Sequence, residues 1–191
     1  MKLIIASNNA HKLKEIKAIL GDCFDEIVSI KEAGIDHETV EDGSSFYENA
    51  HKKASEIMQI SGCCALADDS GICVDALGGA PGIFSARFSG VHGDDKANNR
   101  TMLEKLSRVE NRKAHYTCCM VLVRPDGSEV VAEEIFEGVI GHEPVGDNGF
   151  GYDPLFFIPE YNCTMAQLSP EVKNSVSHRA KALQTLLKKL K

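Results

Sequence analysis

Two adjacent carboxylates, Asp68 and Asp69, follow the apolar run Ala65-Leu66-Ala67 and precede Ser70-Gly71 and the glycine-dense stretch Gly78-Gly79-Ala80-Pro81-Gly82. Such a run reads as the end of a buried strand, with the two acids emerging at its carboxyl edge, where open α/β sheets bind ligands. Neighbouring side chains on a strand point to opposite faces, so one acid would do chemistry while the other supports the turn, unless the chain turns between them. The small and rigid residues that follow would let backbone approach a ligand closely, with Ser85, Arg87 and Ser89 adding polar heads. Read blandly, Asp-Asp-Ser-Gly is a solvated turn, because each of these residue types favours turns.

Other residues offer charge of the opposite sign. Ser7-Asn8-Asn9 follows the strand-like Leu3-Ile4-Ile5-Ala6 and can cap a helix through Leu13, Ile16 and Leu20. Such a turn presents backbone N–H groups to an anion, and Lys12 in the first helical turn adds a full positive charge. Neither a P-loop nor a dinucleotide glycine pattern is present. An acidic loop, Asp36-His37-Glu38 to Glu41-Asp42-Gly43, offers Glu41 as a metal ligand, although acidic runs are usually solvated faces. Ser45 and Glu48 then fit a capping box for a helix with Phe46, Ala50, Ala54 and Ile57 on its apolar face, stopping at Gly62. Lys53 on this helix either snorkels to solvent or reaches a phosphate.

Further on, Asp94 can cap a helix through Ala97, Thr101, Leu103 and Leu106, and His115–Val123 and Glu129–Glu137 read as two strands separated by the hairpin turn Arg124-Pro125-Asp126-Gly127-Ser128. Phe150 and Tyr152 sit among the glycines of Gly146-Asp147-Asn148-Gly149-Phe150-Gly151-Tyr152-Asp153, a setting that suits an aromatic stacked on a base or one anchoring a turn. The last helix starts at Ser169-Pro170-Glu171 and carries an apolar stripe of Val176, Ala180, Leu183, Leu187 and Leu190. Lys173, His178 and Arg179 gather hydrogen-bond donors before and within it.

Composition narrows the class. At 191 residues, with 43% hydrophobic and 26% charged residues and no Pro- or Ser-rich linker, the chain predicts a single domain over 1–191, with room for two lobes. No apolar run is long enough to cross a bilayer, and Met1 to Ile5 followed by Ser7-Asn8-Asn9 does not read as a signal peptide, so a cytoplasmic location is expected. Seven cysteines without a C-x-x-C spacing predict reduced, mostly buried thiols. A net charge of −7 argues against extended nucleic acid as a partner and leaves room for a small polyanion held by a metal and a few lysines.

Taken together, Ser7-Asn8-Asn9-Ala10-His11-Lys12, Glu41-Asp42-Gly43, Phe46 through Ala54, Leu66 to Gly90, Phe150-Gly151-Tyr152-Asp153-Pro154 and Ser177-His178-Arg179 occur in an order that resembles the non-canonical purine nucleoside triphosphate pyrophosphatases, the inosine triphosphate pyrophosphatase family. The resemblance covers nearly the whole chain. It implies an elongated, two-lobed α/β fold with a central mixed sheet flanked by helices, an active cleft between the lobes, and a homodimer. The implied reaction is Mg²⁺-dependent hydrolysis of inosine, deoxyinosine or xanthosine triphosphate to the monophosphate and pyrophosphate.

Position by position, the resemblance makes Asp69 the catalytic carboxylate, with Glu41 and either Asp69 or Asp68 at the metal in the resting state, the roles of the two able to exchange when substrate arrives. Ser7, Asn8, Asn9, Ala10, His11, Lys12 and Lys53 then fall at the triphosphate and Ser70 at the substrate. Phe150, Gly151, Tyr152, Asp153, Lys173, His178 and Arg179 fall on the base side. Asn8 stands where the family more often has glycine, and asparagine tolerates left-handed backbone better than most residues. Mg²⁺ commonly binds through one or two carboxylates plus substrate phosphates, so the acids present are an adequate protein share. A related pyrophosphatase of the septum-inhibitor type would lack the Phe150–Asp153 and Ser177–Arg179 motifs, and a purely nucleotide-binding module would not need both Glu41 and Asp69. A structural protein would leave the glycine-rich loops unexplained.

Overall fold

Alternating runs of apolar strand and amphipathic helix build the amino-terminal part of the chain, and its hydrophobic periodicity is what the fold follows. The computed structural model describes the backbone of residues 1–191 and the side chains of all but Ala10 and His11. Strands β1 (Lys2–Ile5), β2 (Glu26–Ser29), β3 (Cys64–Val74), β4 (Lys113–Val123), β5 (Glu129–Ile140), β6 (Phe156–Ile158) and β7 (Cys163–Thr164) form one seven-stranded sheet in the order β2-β1-β3-β4-β5-β6-β7. The sheet is mixed: β1 pairs in parallel with β2 and β3, whereas β5/β6 and β6/β7 are antiparallel. Five α-helices accompany it, α1 (Ala10–Leu20), α2 (Phe46–Ser61), α3 (Asp95–Lys105), α4 (Pro170–Val176) and α5 (His178–Leu190). The expected α/β class, with a mixed sheet flanked by helices, is the one observed.

The chain divides into two compact units, one made of Met1–Asp69, Cys118–Glu134 and Arg179–Lys191, the other of Ser70–Thr117 and Ile135–His178. In the first unit, strand alternation separates two apolar layers. Cys64 and Leu66 of β3 and Cys118, Met120 and Leu122 of β4 pack with Ile16 and Leu20 of α1 and Ala182, Leu183 and Leu186 of α5. The intervening residues face the other way, where Ala67, Cys119, Val121 and Val123 meet Ala50 and Ala54 of α2, and Ala65 meets Ile57. Fully burying one leucine such as Leu66 contributes about 1.5–3 kcal/mol, so this alternation fixes the register of β3. In the second unit Ile72 and Val74 of β3 share a core with Met102 of α3, Tyr116 of β4, Phe136 of β5 and Phe156 of β6.

Two features differ from the sequence reading. The central strand does not end at Ala67 but continues through Asp68-Asp69-Ser70-Gly71 to Val74, so the two acids lie within a strand and not in a turn. Gly71 makes this continuation possible. A Cβ there would lie 2.2 Å from the Gly82 carbonyl oxygen and 2.5 Å from Ser85 Oγ, so the close backbone approach is to another part of the chain. Likewise, the final helix is two helices. Ser177 is extended (φ −62°, ψ 160°) and ends α4, so that His178 and Arg179 open α5. Among the described residues, no helix is long and apolar enough to cross a membrane.

Candidate active site

Because β3 stays extended through its acids, alternation sends Asp68 to the face of Leu66, toward α1 and α5, and Asp69 to the face of Ala67, toward α2. Each meets a different set of partners, and all of those described next belong to the first unit.

Asp68 is 5% exposed, and both of its oxygens take the Lys12 ammonium, at 2.9 Å to Oδ1 and 2.8 Å to Oδ2. Lys12 reaches there from the first turn of α1, whose start is fixed by side chains. Asn9 Oδ1 accepts from the Lys12 amide at 3.2 Å as the helix cap, and Ser7 Oγ accepts from the Asn9 amide at 3.1 Å. Asn8 Oδ1 accepts from the Lys31 amide at 3.2 Å, tying the turn to the segment after β2. The side chains of Ala10 and His11 lie outside the described residues. On its other side Asp68 Oδ2 meets Arg179 Nε at 3.5 Å, and the same guanidinium reaches Glu15 Oε2 at 3.3 Å. Burial alone would raise the Asp68 pKa, but Lys12, Arg179 and Lys53 outweigh it and hold the carboxyl well below the usual range. The Arg179 guanidinium, which burial disfavours, is in turn held charged chiefly by Asp68.

Asp69 has a different environment. Asn49 of α2, 1% exposed, donates from Nδ2 to Asp69 Oδ2 at 3.0 Å, while its own Oδ1 accepts from the Gly43 amide at 2.9 Å. One buried amide therefore joins the acidic loop to Asp69. A Cβ at Gly43 would come within 2.7 Å of that same Oδ1, so the loop approaches this closely only with glycine there. One helical turn after Asn49, Lys53 Nζ donates to Glu41 Oε1 at 2.8 Å and to the Asp68 carbonyl at 2.9 Å, and lies 3.8 Å from Asp69 Oδ1. Farther along α2, Glu56 takes Thr39 Oγ1 at 2.6 Å and the His37 ring at 2.7 Å, holding the loop from its other end.

Burial raises the Asp69 pKa, and the nearby Glu41 and Asp68 charges add to it; Lys53 and Asn49 only partly offset the rise. For Lys53, burial lowers the pKa, but Asp69, Asp68 and Glu41 together leave it raised. Of the adjacent pair, Asp68 is thus locked as an anion by buried cations, and Asp69 is the better proton acceptor. Glu41 and Asp69 share one ammonium and offer oxygen ligands alone. Among the described residues no three His, Cys, Asp or Glu side chains gather into a metal cage. A pair of carboxylates fits an ion such as Mg²⁺ that takes most of its ligands from phosphates and water.

The second unit holds the other expected group. Asp153, 4% exposed, accepts from the Phe150 amide at 2.9 Å on Oδ2 and also takes the Lys173 ammonium there. The same ammonium stands over the Phe150 ring, 4.7 Å from its centroid, and that ring is 45% exposed. Gly149, at φ +84°, is held against this pair, since a Cβ would lie 2.1 Å from Asp153 Oδ2 and 3.0 Å from Lys173 Nζ. Gly151 donates to Asp95 Oδ2 at 2.7 Å, and its carbonyl accepts from Asn99 Nδ2 at 2.9 Å. Tyr152 is buried, and its hydroxyl donates to the Ser85 carbonyl at 2.8 Å, so of the two aromatics it anchors the loop and Phe150 presents a face. The His178 ring stacks on Tyr116 with centroids 4.7 Å apart and planes 9° from parallel.

Lys173 thus joins Phe150 and Asp153, His178 stacks on Tyr116, and Arg179, expected with both as a base-side donor, faces Asp68 and Glu15. Ser70 is half-buried on β3, next after Asp69. Ser85 and Arg87, expected as ligand-facing heads, serve the chain itself. Ser85 Oγ donates to the Gly82 carbonyl at 2.6 Å and accepts from the Ile72 amide at 2.9 Å, while Arg87 covers the Phe84 ring at 5.0 Å. Sequence reasoning gave no role to Asn49 or Tyr116. The signal for Asn49 was its place on the apolar face of α2, three residues after Phe46 and four before Lys53. For Tyr116 it was a phenol in the buried alternation Ala114, Tyr116, Cys118.

Comparison with known proteins gives consistent matches over the whole length. A model of the Ham1 family matches residues 3–189. The chain is 50% identical to a dITP/XTP pyrophosphatase of Clostridium perfringens, covering 100% of this chain and 97% of that protein. It is 49% identical to one of Desulforamulus reducens, covering 96% and 92%. Among solved structures, the Staphylococcus aureus Ham1 protein superposes with a TM-score of 0.93 at 39% identity, over 100% of this chain and 98% of that one. A nucleoside-triphosphatase / dITP/XTP pyrophosphatase of Mycobacterium abscessus gives 0.82 at 44% identity, over 98% and 99%.

Proposed function

Since the chain belongs to the Ham1 family, we propose that it hydrolyses inosine, deoxyinosine and xanthosine triphosphates to the nucleoside monophosphate and pyrophosphate, with Mg²⁺, and so removes deaminated purines from the nucleotide pool. The observation that carries this reading is the division of labour between Asp68 and Asp69. One is held as an anion at neutral pH by Lys12 and Arg179; the other is an acid of raised pKa beside Glu41 and Lys53.

Lys12, Lys53 and the positive end of α1 supply charge complementary to the triphosphate. Asp69 orients a water molecule in line with the α-phosphorus and accepts its proton as the new P–O bond forms and the bond to the bridging oxygen breaks. The electron pair of the broken bond leaves with pyrophosphate. Glu41 and Asp69 would hold Mg²⁺, which supplies charge neutralisation at the phosphates. On the base side, the exposed face of Phe150 suits stacking, and N–H donors on Lys173 and His178 suit the 6-keto oxygen of hypoxanthine or xanthine. The 6-amino group of adenine would meet them donor to donor, and a polar site of this kind rejects the wrong partner by as much as roughly 10⁴-fold.

The test is pyrophosphate release from inosine, xanthosine, adenosine and guanosine triphosphates, with Mg²⁺ or with chelator, for the wild type and Asp69→Asn. Mg²⁺-dependent release from the first two, nearly abolished by the substitution, is expected. Release of inorganic phosphate, equal action on adenosine triphosphate, or tight binding without turnover would overturn the assignment. A homodimer in the cytoplasm belongs to the same proposal, and sedimentation equilibrium checks its stoichiometry.

A further inference from the structure

The base-side group has a common support that its own residues do not include. Tyr116 lies on β4 and is 7% exposed. One face of its ring carries the His178 imidazole, nearly parallel at 4.7 Å, and the Phe156 ring meets it at 4.7 Å and 49°. Its hydroxyl donates to Asp153 Oδ1 at 3.3 Å, leaving Oδ2 to the Phe150 amide and Lys173. Lys173 in turn stands over the Phe150 ring. A single phenol therefore touches His178 directly and holds Lys173 and Phe150 through one carboxylate.

We propose that Tyr116 is a positioning residue for base selection: its ring sets the plane of His178, its hydroxyl sets the rotation of the Asp153 carboxylate, and together they fix the donors that distinguish a 6-keto from a 6-amino purine. This rests on the nucleotide reading above. Recognition of one exocyclic group needs donors whose directions are fixed before the base arrives, because a donor free to turn aside would tolerate an amino group. Asp153 freed on one oxygen could rotate and carry Lys173 with it. Burial, reinforced by Asp153, keeps the phenol protonated far beyond neutral pH, so the hydroxyl remains a donor throughout the working range.

The experiment uses the full chain as wild type, Tyr116→Phe and Tyr116→Leu. It measures kcat and KM for inosine and adenosine triphosphates with Mg²⁺, and binding of inosine monophosphate by calorimetry in chelator. Tyr116→Phe keeps the ring and removes one hydrogen bond, so KM for inosine triphosphate should rise by about 2- to 12-fold with kcat nearly unchanged. The preference over adenosine triphosphate should fall with it, and monophosphate affinity should drop in parallel. In Tyr116→Leu the ring-current shift of the His178 imidazole protons, retained in the phenylalanine variant, should also disappear. Unchanged KM and unchanged preference in Tyr116→Phe would overturn the inference, as would a fall in kcat alone. If Tyr116→Leu does not fold, the phenylalanine variant decides. Wild type that ignores inosine triphosphate would instead sink the nucleotide reading, whatever the variants do.

Discussion

Replacing Asp68 with asparagine removes one charge from a place where the protein has buried two opposite ones. The Asp68 side chain is 2% exposed, with Lys12 at 19% and Arg179 at 4%, so solvent screens the cations poorly. Leaving a buried charge without its partner costs about 3–5 kcal/mol. The lower end applies here, because Arg179 keeps Glu15 at 3.3 Å and the asparagine oxygen can still accept one hydrogen bond. For a chain of this length each kcal/mol moves the midpoint by roughly 2–4 °C, so a loss of about 3 kcal/mol lowers Tm by about 6–12 °C. The pH dependence is a separate signature. The folded-state pKa of Asp68 is depressed, so its contribution is full above the unfolded value near 4 and is lost as pH falls toward the folded value. Urea unfolding of wild type and Asp68→Asn should therefore differ by a constant amount from pH 7 to pH 5 and converge below about pH 4. The same substitution in a Lys12→Met background should cost less, since one orphaned cation is then absent. A neutral-pH difference under about 1 kcal/mol, or one that does not shrink in acid, would refute the account of Asp68 as a buried anchor.

Two further outcomes follow from the geometry. Gly149→Ala places a Cβ 2.1 Å from Asp153 Oδ2 on a backbone at φ +84°, so it should raise KM for inosine triphosphate and lower stability by at least about 1 kcal/mol in urea; unchanged kinetics would mean that Asp153 and Lys173 do not serve the base. Burial, with Glu133 adding, pushes the Cys119 thiol up to about 12, and Cys118 beside it is raised as well, so neither should react with Ellman's reagent at pH 8 until the protein unfolds; peptide mapping that finds either labelled in the native protein would contradict their burial.

Much of the local structure was legible because short-range rules decide it. Ser45 caps α2 by accepting from the Glu48 amide at 3.1 Å, Gly62 ends it in the left-handed region, and Asp94 caps α3, each as its residue type dictates. The length of β3 was not legible, because turn propensity in Asp-Asp-Ser-Gly competes with strand pairing that local sequence does not reveal. Pairing prevailed: Gly71 admits the neighbouring backbone, while Asp68 and Asp69 each find buried partners from distant segments. The break at Ser177 was hidden for a related reason, since the apolar stripe of the last two helices runs across it without a glycine or proline to mark it. Asn49 and Tyr116 escaped because a polar atom on an apolar face signals only that a partner exists, not which one.

The extension of β3 also gives the two adjacent acids different surroundings. Adjacent acids in a turn could exchange roles, since a flexible backbone lets either carboxylate approach the other's partners. Adjacent acids in a paired strand cannot, because rotation of one residue to the opposite face would require the ladder to slip by one position and turn the apolar layers of Leu66 and Ala67 inside out. Asp68 is thereby confined to the cations of α1 and α5, and Asp69 to Lys53, Asn49 and, through them, Glu41. The hydrophobic pattern of β3 thus keeps the two carboxylates in separate surroundings, and Lys53, bound to Glu41 and to the Asp68 carbonyl, ties the acidic loop to the strand between them.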